Sequence, residues 1–184
     1  MFRPSRFTRS TSTWFELGKW FLIVIIALFL IHYFVVTIFV VSGQSMEPNF
    51  HDKEVVLINR INLFTNRFAR GEPMVIKFPG DPQHKKYIKR LIGLPGETVE
   101  IKNNGIYING RKLIESYIPS NFITEPLTGQ TVWHLGKGEY FLVGDNRQNS
   151  SDSRVWGVAE RKNMTGPVKM ILIPRFEFVP VPPY

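Results

Sequence analysis

The sequence predicts a mostly β protein: a partly closed β-barrel or sandwich with a small β subdomain, preceded by a single transmembrane α-helix. Three observations lead there. Beyond residue 45 the chain falls into short β-branched or aromatic runs bounded by Gly, Pro, Asn and Asp. Helical periodicity is nearly absent from that same region. From Trp20 to Val41 there are 22 residues without a charge. As a helix that run would span about 33 Å, against a hydrocarbon core of about 30 Å.

Taken in order, residues 1–19 hold Arg3, Arg6, Arg9 and Lys19 against Glu16, or +3 of a formal net charge of +8. The next basic residue after the apolar run is Lys53. The positive-inside rule therefore puts residues 1–19 in the cytoplasm and residues 42–184 outside it, with the span over residues 20–41. Trp14 and Trp20 fall where a headgroup belt is expected. A basic, then apolar, then small-residue order, ending at Ser42 and Gly43, also describes a cleavable secretory signal. Such signals usually have apolar stretches of about 7–15 residues and an A-x-A-like site, which is missing here, so a retained anchor is the expectation.

The strand candidates that follow are 55–58, 74–76, 98–101, 106–108, 140–143 and 168–173. Asn104-Gly105 and Asn109-Gly110 offer the positive-φ residues that tight hairpins need. Residues 42–184 are enough for one main core, with the small β subdomain within about residues 97–143. The proline-rich end from Phe178 to Tyr184 is expected to be a tail.

Several functions are excluded by composition. The absence of cysteine removes disulfides, thiolate zinc sites and a thiol nucleophile. His32, His51, His84 and His134 are scattered, without metal-ligand spacing, so no metal and no cofactor are expected. There is no phosphate-binding G-x-x-x-x-G-K-[ST] loop. Neither a basic helix nor an aromatic-basic platform supports nucleic-acid binding, and the basic charge points instead to a phospholipid surface. Gly43-Gln44-Ser45 starts like a nucleophile elbow, but Glu47 stands where that motif requires glycine.

Three blocks remain: Ser42-Gly43-Gln44-Ser45-Met46-Glu47-Pro48, Lys89 to Glu97, and Gly144 to Gly157. The last matches G-D-N-R-x-x-S-x-D-S-R-x-x-G at all nine specified positions. With the anchor, these blocks resemble the bacterial type I signal peptidases, membrane-anchored Ser/Lys proteases, in their shorter Gram-positive form. The resemblance runs from the anchor almost to the C-terminus. It implies an endopeptidase that removes N-terminal signal peptides from exported preproteins at the outer face of the cytoplasmic membrane.

By that resemblance Ser45 is the nucleophile, Lys89 the general base and Ser150 the hydroxyl that orients the lysine amine. Asp145 with Arg90, and Asp152 with Arg154, resemble its supporting ion pairs. Met46, Phe50, Tyr87 and Ile88 match its substrate pocket, although each read alone is more often a core residue. The Ser45 N–H is the first oxyanion donor, and Ser42 a candidate second, because Gly43 occupies the position where some members carry a serine.

The chemistry sets a condition on Lys89. A hydroxyl attacks poorly unless a neighbour takes its proton, and an amine does so only when neutral. Neutralising an ordinary lysine at pH 7 costs about 4.6 kcal/mol, which burial against Tyr87, Ile88, Leu91 and Ile92 would offset. Read without the family, Lys89 is equally one member of the solvated run Lys85-Lys86-x-x-Lys89-Arg90.

Ser45 lies four positions beyond Val41, a reach of at most about 13 Å, which places the chemistry at the bilayer surface. Phe64 and Phe68, among Arg60, Arg67 and Arg70, have two readings, insertion into the interface or core packing. Two other functions stay open at this point. One is a related Ser/Lys protease that cleaves itself or a regulator, and the other is an inactive, membrane-tethered β module that binds lipid or proteins.

Overall fold

The computed structural model describes residues 6–65, 67–79, 81, 83 and 85–183, so Arg3 and His84 lie outside the described residues. The chain divides into two compact units, Met1–Val36 and Thr37–Tyr184.

The first unit is helix α1 (Arg6–Phe34). Its apolar side chains between Trp14 and Leu30 are exposed on every face. A helix apolar all round and covered by no protein has the surface of one that lies in lipid. Its most apolar window is Thr13–Leu30, with a mean hydropathy of 1.8. That window includes the Glu16–Lys19 ion pair at 2.6 Å.

The expected span over 20–41 therefore needs correction at its C-terminal end. The helix stops at Phe34 and Val36–Val40 forms strand β1. The reason lies in the seven-residue run from Val35 to Val41, where every side chain is β-branched or aromatic and therefore favours a pleated surface. The short tether inferred between span and Ser45 falls with it, because a strand and a turn intervene.

The second unit is mostly β, built around a curled half-barrel sheet in the order β1-β2-β11-β3-β4-β9-β10. Its strands are β2 (Val55–Asn59), β3 (Pro73–Lys77), β4 (Lys86–Gly93), β9 (Glu139–Val143), β10 (Ala159–Glu160) and β11 (Met164–Ile173). A short helix, α2 (Ile61–Thr65), follows β2, and α3 (Ser153–Trp156) follows β9. The curl comes from β11, which pairs with β3 through its first half and with β2 through its second, with register shifts in both ladders. Gly166 permits the crossing: its φ is 143°, and a Cβ there would lie 2.5 Å from the Asn59 carbonyl oxygen.

A second, four-stranded sheet has the order β7-β6-β5-β8. It comprises β5 (Thr98–Lys102), β6 (Gly105–Ile108), β7 (Arg111–Lys112) and β8 (Val132–His134). At the end of the range 97–143, β9 pairs with β4 in the large sheet. Turn chemistry fixes the two hairpins. Asn103 and Asn104, with φ of 46° and 59°, join β5 to β6, while Asn109 and Gly110, at 49° and 80°, join β6 to β7. Two consecutive positive φ values are the signature of the turn that matches strand twist. The first turn thus sits one residue earlier than Asn104-Gly105 suggested.

The C-terminal end is not wholly a tail. Glu177–Phe178 forms β12 against β11, the Val179 N–H donates to the Lys169 carbonyl, and Val179 packs on the core.

Three clusters make the core. Val56, Ile58, Val75, Ile88, Val168 and Ile171 surround Met46 and Phe50. Ile92, Phe141 and Val143 meet the small sheet through Val99, Ile101, Ile106 and Trp133. Met74, Ile76, Leu91, Tyr140 and Leu142 form the third, where Phe68 packs edge-on against Tyr140 at 5.6 Å. Phe68 is accordingly a core residue, whereas Phe64 is 69% exposed.

Candidate active site

Ser45 sits in the turn between β1 and β2. Its placement starts with the loop's own hydrogen bonds. The Val41 N–H donates to the Glu54 carbonyl, and the Lys53 N–H returns to the Val41 carbonyl, closing the loop at its base. Gly43, at φ 88°, turns the chain, and its N–H donates to Asp52 Oδ1 at 2.8 Å. Met46 and Phe50, each 1% exposed, then plug the loop into the core. Burying side chains of this size contributes about 1.5–3 kcal/mol apiece. Ser45 is left half-buried at the rim.

Strand alternation brings Lys89 to the serine. Tyr87, Lys89 and Leu91 share one face of β4, and Lys89 opposes Met74 across the β3 ladder. The Lys89 side chain is 2% exposed, and its Nζ donates to Ser45 Oγ at 2.5 Å. Nζ also lies 5.8 Å from the centre of the Tyr87 ring. Burial pushes the Lys89 pKa down from 10.5 to about 8; the Asp152 and Asp145 carboxylates resist that shift, and Arg154 adds to it. Lys89 is thus not part of the solvated run that includes the exposed Lys85 and Lys86.

Both carboxylate–arginine pairs form. Arg90 donates from Nε to Asp145 Oδ1 at 2.7 Å and from Nη2 to Oδ2 at 2.5 Å. Arg154 donates from Nε and Nη2 to the two Asp152 oxygens at 2.8 Å each. All four residues are buried, and such forks fix orientation as well as charge. Asp152 also caps α3, accepting from the Arg154 N–H, and accepts the Gly144 N–H at 3.0 Å.

Ser150 corrects one expectation. Its hydroxyl is buried but has no hydrogen-bond partner among the described residues, so the anticipated bond to the lysine amine is not made. The oxygen instead lies against Gly144, beside the Ser45 carbonyl, while the amine reaches Ser45 Oγ. Ser42 is exposed and makes no hydrogen bond among the described residues. Of the four expected pocket residues, Met46, Phe50 and Ile88 are at most 3% exposed and belong to the first core cluster; Tyr87 alone keeps appreciable surface.

Five residues near the site went unread in the sequence. Asn49 Nδ2 donates to Asp145 Oδ2 at 2.8 Å and to the Tyr117 carbonyl at 2.7 Å, tying the serine loop to the lysine strand's ion pair. The Arg90 guanidinium stacks 4.0 Å from the Tyr117 ring. Arg147 is buried, pairs with Glu115 and donates from Nε to the Gly144 carbonyl at 3.1 Å. Asn146 contacts the serine loop directly. Arg147 and Asn146 lie inside the G-D-N-R block and so carried a signal, whereas Asn49, Glu115 and Tyr117 stand in no motif.

The curled β sheet thus brings a buried lysine amine against a half-buried serine hydroxyl, a pairing that can activate the hydroxyl as a nucleophile. The family model described as signal peptidase, peptidase S26, matches residues 14–173. A signal peptidase I of Bacillus amyloliquefaciens is 37% identical over 173 residues, covering 90% of this chain and 89% of its own. Signal peptidase IB of Staphylococcus aureus is 33% identical over 180 residues, covering 89% and 93%. A solved signal peptidase I from Enterococcus faecalis overlaps 55% of this chain and 96% of its own, at 32% identity and a TM-score of 0.43. The chain belongs to the signal peptidase S26 family and is a serine endopeptidase.

Proposed function

We propose that this chain removes signal peptides from exported preproteins with Ser45 as nucleophile and Lys89 as general base. The observation that carries the reading is the 2.5 Å contact between Lys89 Nζ and Ser45 Oγ, made by an amine that is 2% exposed. With a pKa of about 8, about one lysine in ten is neutral at pH 7, against about one in three thousand for an ordinary side chain.

In the forward step Ser45 Oγ attacks the scissile carbonyl carbon as its proton passes to Lys89 Nζ. The resulting ammonium gives that proton to the leaving amine, and an ester to Ser45 remains. Water then attacks the ester, losing a proton to the again neutral amine, and the serine oxygen leaves and is reprotonated. The Ser45 N–H, which has no acceptor among the described residues, receives the developing oxyanion, with Ser42 as the second donor. Asp152 and Asp145 favour the transient ammonium, and Arg154 opposes them. Small substrate side chains suit a site whose expected pocket residues Met46, Phe50 and Ile88 are at most 3% exposed.

Helix α1 anchors the chain in the phospholipid bilayer, with its basic N-terminus in the cytoplasm and residues 42–184 outside. A preprotein whose apolar segment lies in the same bilayer presents its small-residue cleavage site at that surface.

Purified full-length protein in detergent is expected to cut a secretory preprotein at its A-x-A-like site. Ser45→Ala should lose at least about 10⁴-fold in rate. Undiminished cleavage by that variant would refute the nucleophile, and no cleavage by either folded protein would leave the membrane-tethered binding module. The pH profile is a separate expectation. Because the active base is the neutral amine, kcat/KM should rise with pH through a midpoint near 8 and then level off. A midpoint near 10 would mean that burial does not act on Lys89.

A further inference from the structure

The oxyanion donor proposed above is a backbone N–H, and a backbone N–H points only where its peptide plane points. Ser45 has a peptide on each side, and Asn146 holds both. The Asn146 N–H donates to the Ser45 carbonyl at 3.1 Å, and Asn146 Nδ2 donates to the Gln44 carbonyl at 3.2 Å. The Gln44 carbonyl and the Ser45 N–H belong to one planar, trans peptide, so they point in opposite directions. Whatever grips that carbonyl aims that N–H. The same carbonyl also accepts the Glu47 N–H at 3.2 Å, so the Asn146 amide completes its pair of acceptor sites.

Asn146 is itself held at both flanks. Asp145 is locked by Arg90 and Asn49. Arg147 is fixed by Glu115 and by the Gly144 carbonyl. The Asn146–Gln44 bond itself is exposed, but the residues on either side of Asn146 are anchored in buried ion pairs.

We infer that Asn146 is a positioning residue for the oxyanion site: through the Gln44 carbonyl it orients the Ser45 N–H toward the tetrahedral oxygen that forms on attack. The inference rests on Ser45 as nucleophile. It assigns Asn146 a part distinct from that of Lys89 and its supporting pairs, because nothing in it alters the proton transfer. Substrate binding in the ground state should be little affected, since an oxyanion donor acts mainly on charge that develops later.

The test compares Asn146→Ala and Asn146→Asp with wild type and Ser45→Ala, all full-length in detergent, at a temperature where circular dichroism shows native folds. Loss of one oxyanion donor costs about 10²–10³ in kcat, and loss of its alignment a part of that. For Asn146→Ala, kcat should fall about 10–100-fold with KM within about twofold and the pH midpoint unmoved. Asn146→Asp should be worse when measured on its own pH plateau, because a carboxylate faces the Gln44 carbonyl oxygen where an N–H donor stood. A peptide boronate, which forms a tetrahedral adduct on the serine, should lose affinity in step with kcat.

The inference is overturned if Asn146→Ala keeps kcat within twofold of wild type. It is equally overturned if the loss comes with a shifted pH midpoint, or if Asn146→Asp matches or exceeds Asn146→Ala on its plateau. Should Asn146→Ala fail to fold, the near-isosteric Asn146→Asp decides alone, and wild-type turnover there refutes the role. Activity remaining in Ser45→Ala would instead bring down the nucleophile assignment, which is a separate outcome.

Discussion

Replacing Lys89 with methionine is expected to abolish cleavage while making the protein more stable. The catalytic half follows from the 2.5 Å contact: without the amine, the hydroxyl has no base within reach, and a loss of at least about 10⁴-fold is the scale for disabling such a unit. The stability half follows from burial. The unfolded lysine holds its proton up to about its ordinary 10.5, the folded one only up to about 8. Stability therefore rises with pH between those values, and below the lower one folding carries the full penalty, about 3 kcal/mol.

Methionine has a similar length and no charge to strip, so the penalty disappears. The lost hydrogen bond to Ser45 returns about 1 kcal/mol, leaving a net gain of about 2 kcal/mol at pH 7. For a unit of this size that is about 4–8 °C in Tm. Calorimetry at pH 7, paired with preprotein cleavage, measures both halves. The variant should also lose the rise in stability between pH 8 and 10.5 that wild type shows. A Tm equal to or below that of wild type would mean that the buried amine is not a source of strain, and the argument for its depressed pKa would go with it. Strain of this kind is what a site tuned for chemistry is expected to carry.

How far this was legible beforehand differs between elements. The strands β2, β3, β5, β6, β9 and β11 were visible because each contains a short β-branched or aromatic run closed by a turn residue, and that pattern is local; β4, which carries Lys89 among other charges, was not read as a strand. The end of α1 was misjudged because an uncharged run does not distinguish lipid from a sheet. Val36, Thr37, Ile38, Phe39 and Val40 satisfy either environment, and strand pairing decides. The expected pocket residues Met46, Phe50 and Ile88 share that ambiguity, since an apolar side chain suits a core as well as a cleft.

The paired charges were easier. A buried carboxylate needs a fork, and Asp152 and Arg154 stand two residues apart. Asn49 was invisible for the opposite reason: its partners, Asp145 and the Tyr117 carbonyl, are 96 and 68 residues away. Ser150 shows that a motif position supplies a residue without supplying its hydrogen bond.

Gly144→Ala should lose at least about 10²-fold in rate, although it adds a single methyl. A Cβ built on Gly144 overlaps the Ser150 hydroxyl, comes within 2.6 Å of Ser150 Cβ and lies 2.5 Å from the Ser45 carbonyl oxygen. Rotation about χ1 moves the Ser150 hydroxyl but not its Cβ, and the Ser45 carbonyl is backbone and cannot rotate away. Nor can residue 144 withdraw, because its N–H is held by Asp152 and its carbonyl by Arg147. The displacement therefore falls on the serine loop, moving Ser45 away from Lys89. Misplacement by about 1 Å costs about 10²-fold in rate, so kcat should fall by at least that factor, with a stability loss of about 1–3 kcal/mol from overpacking. Adding Ser150→Gly distinguishes the two contacts. It removes the side-chain clash and leaves the backbone one, so the double variant should recover little activity relative to Ser150→Gly alone. Full recovery would place the whole effect at Ser150, and wild-type turnover in Gly144→Ala would show that the close approach of residue 144 to the Ser45 carbonyl does not exist in solution.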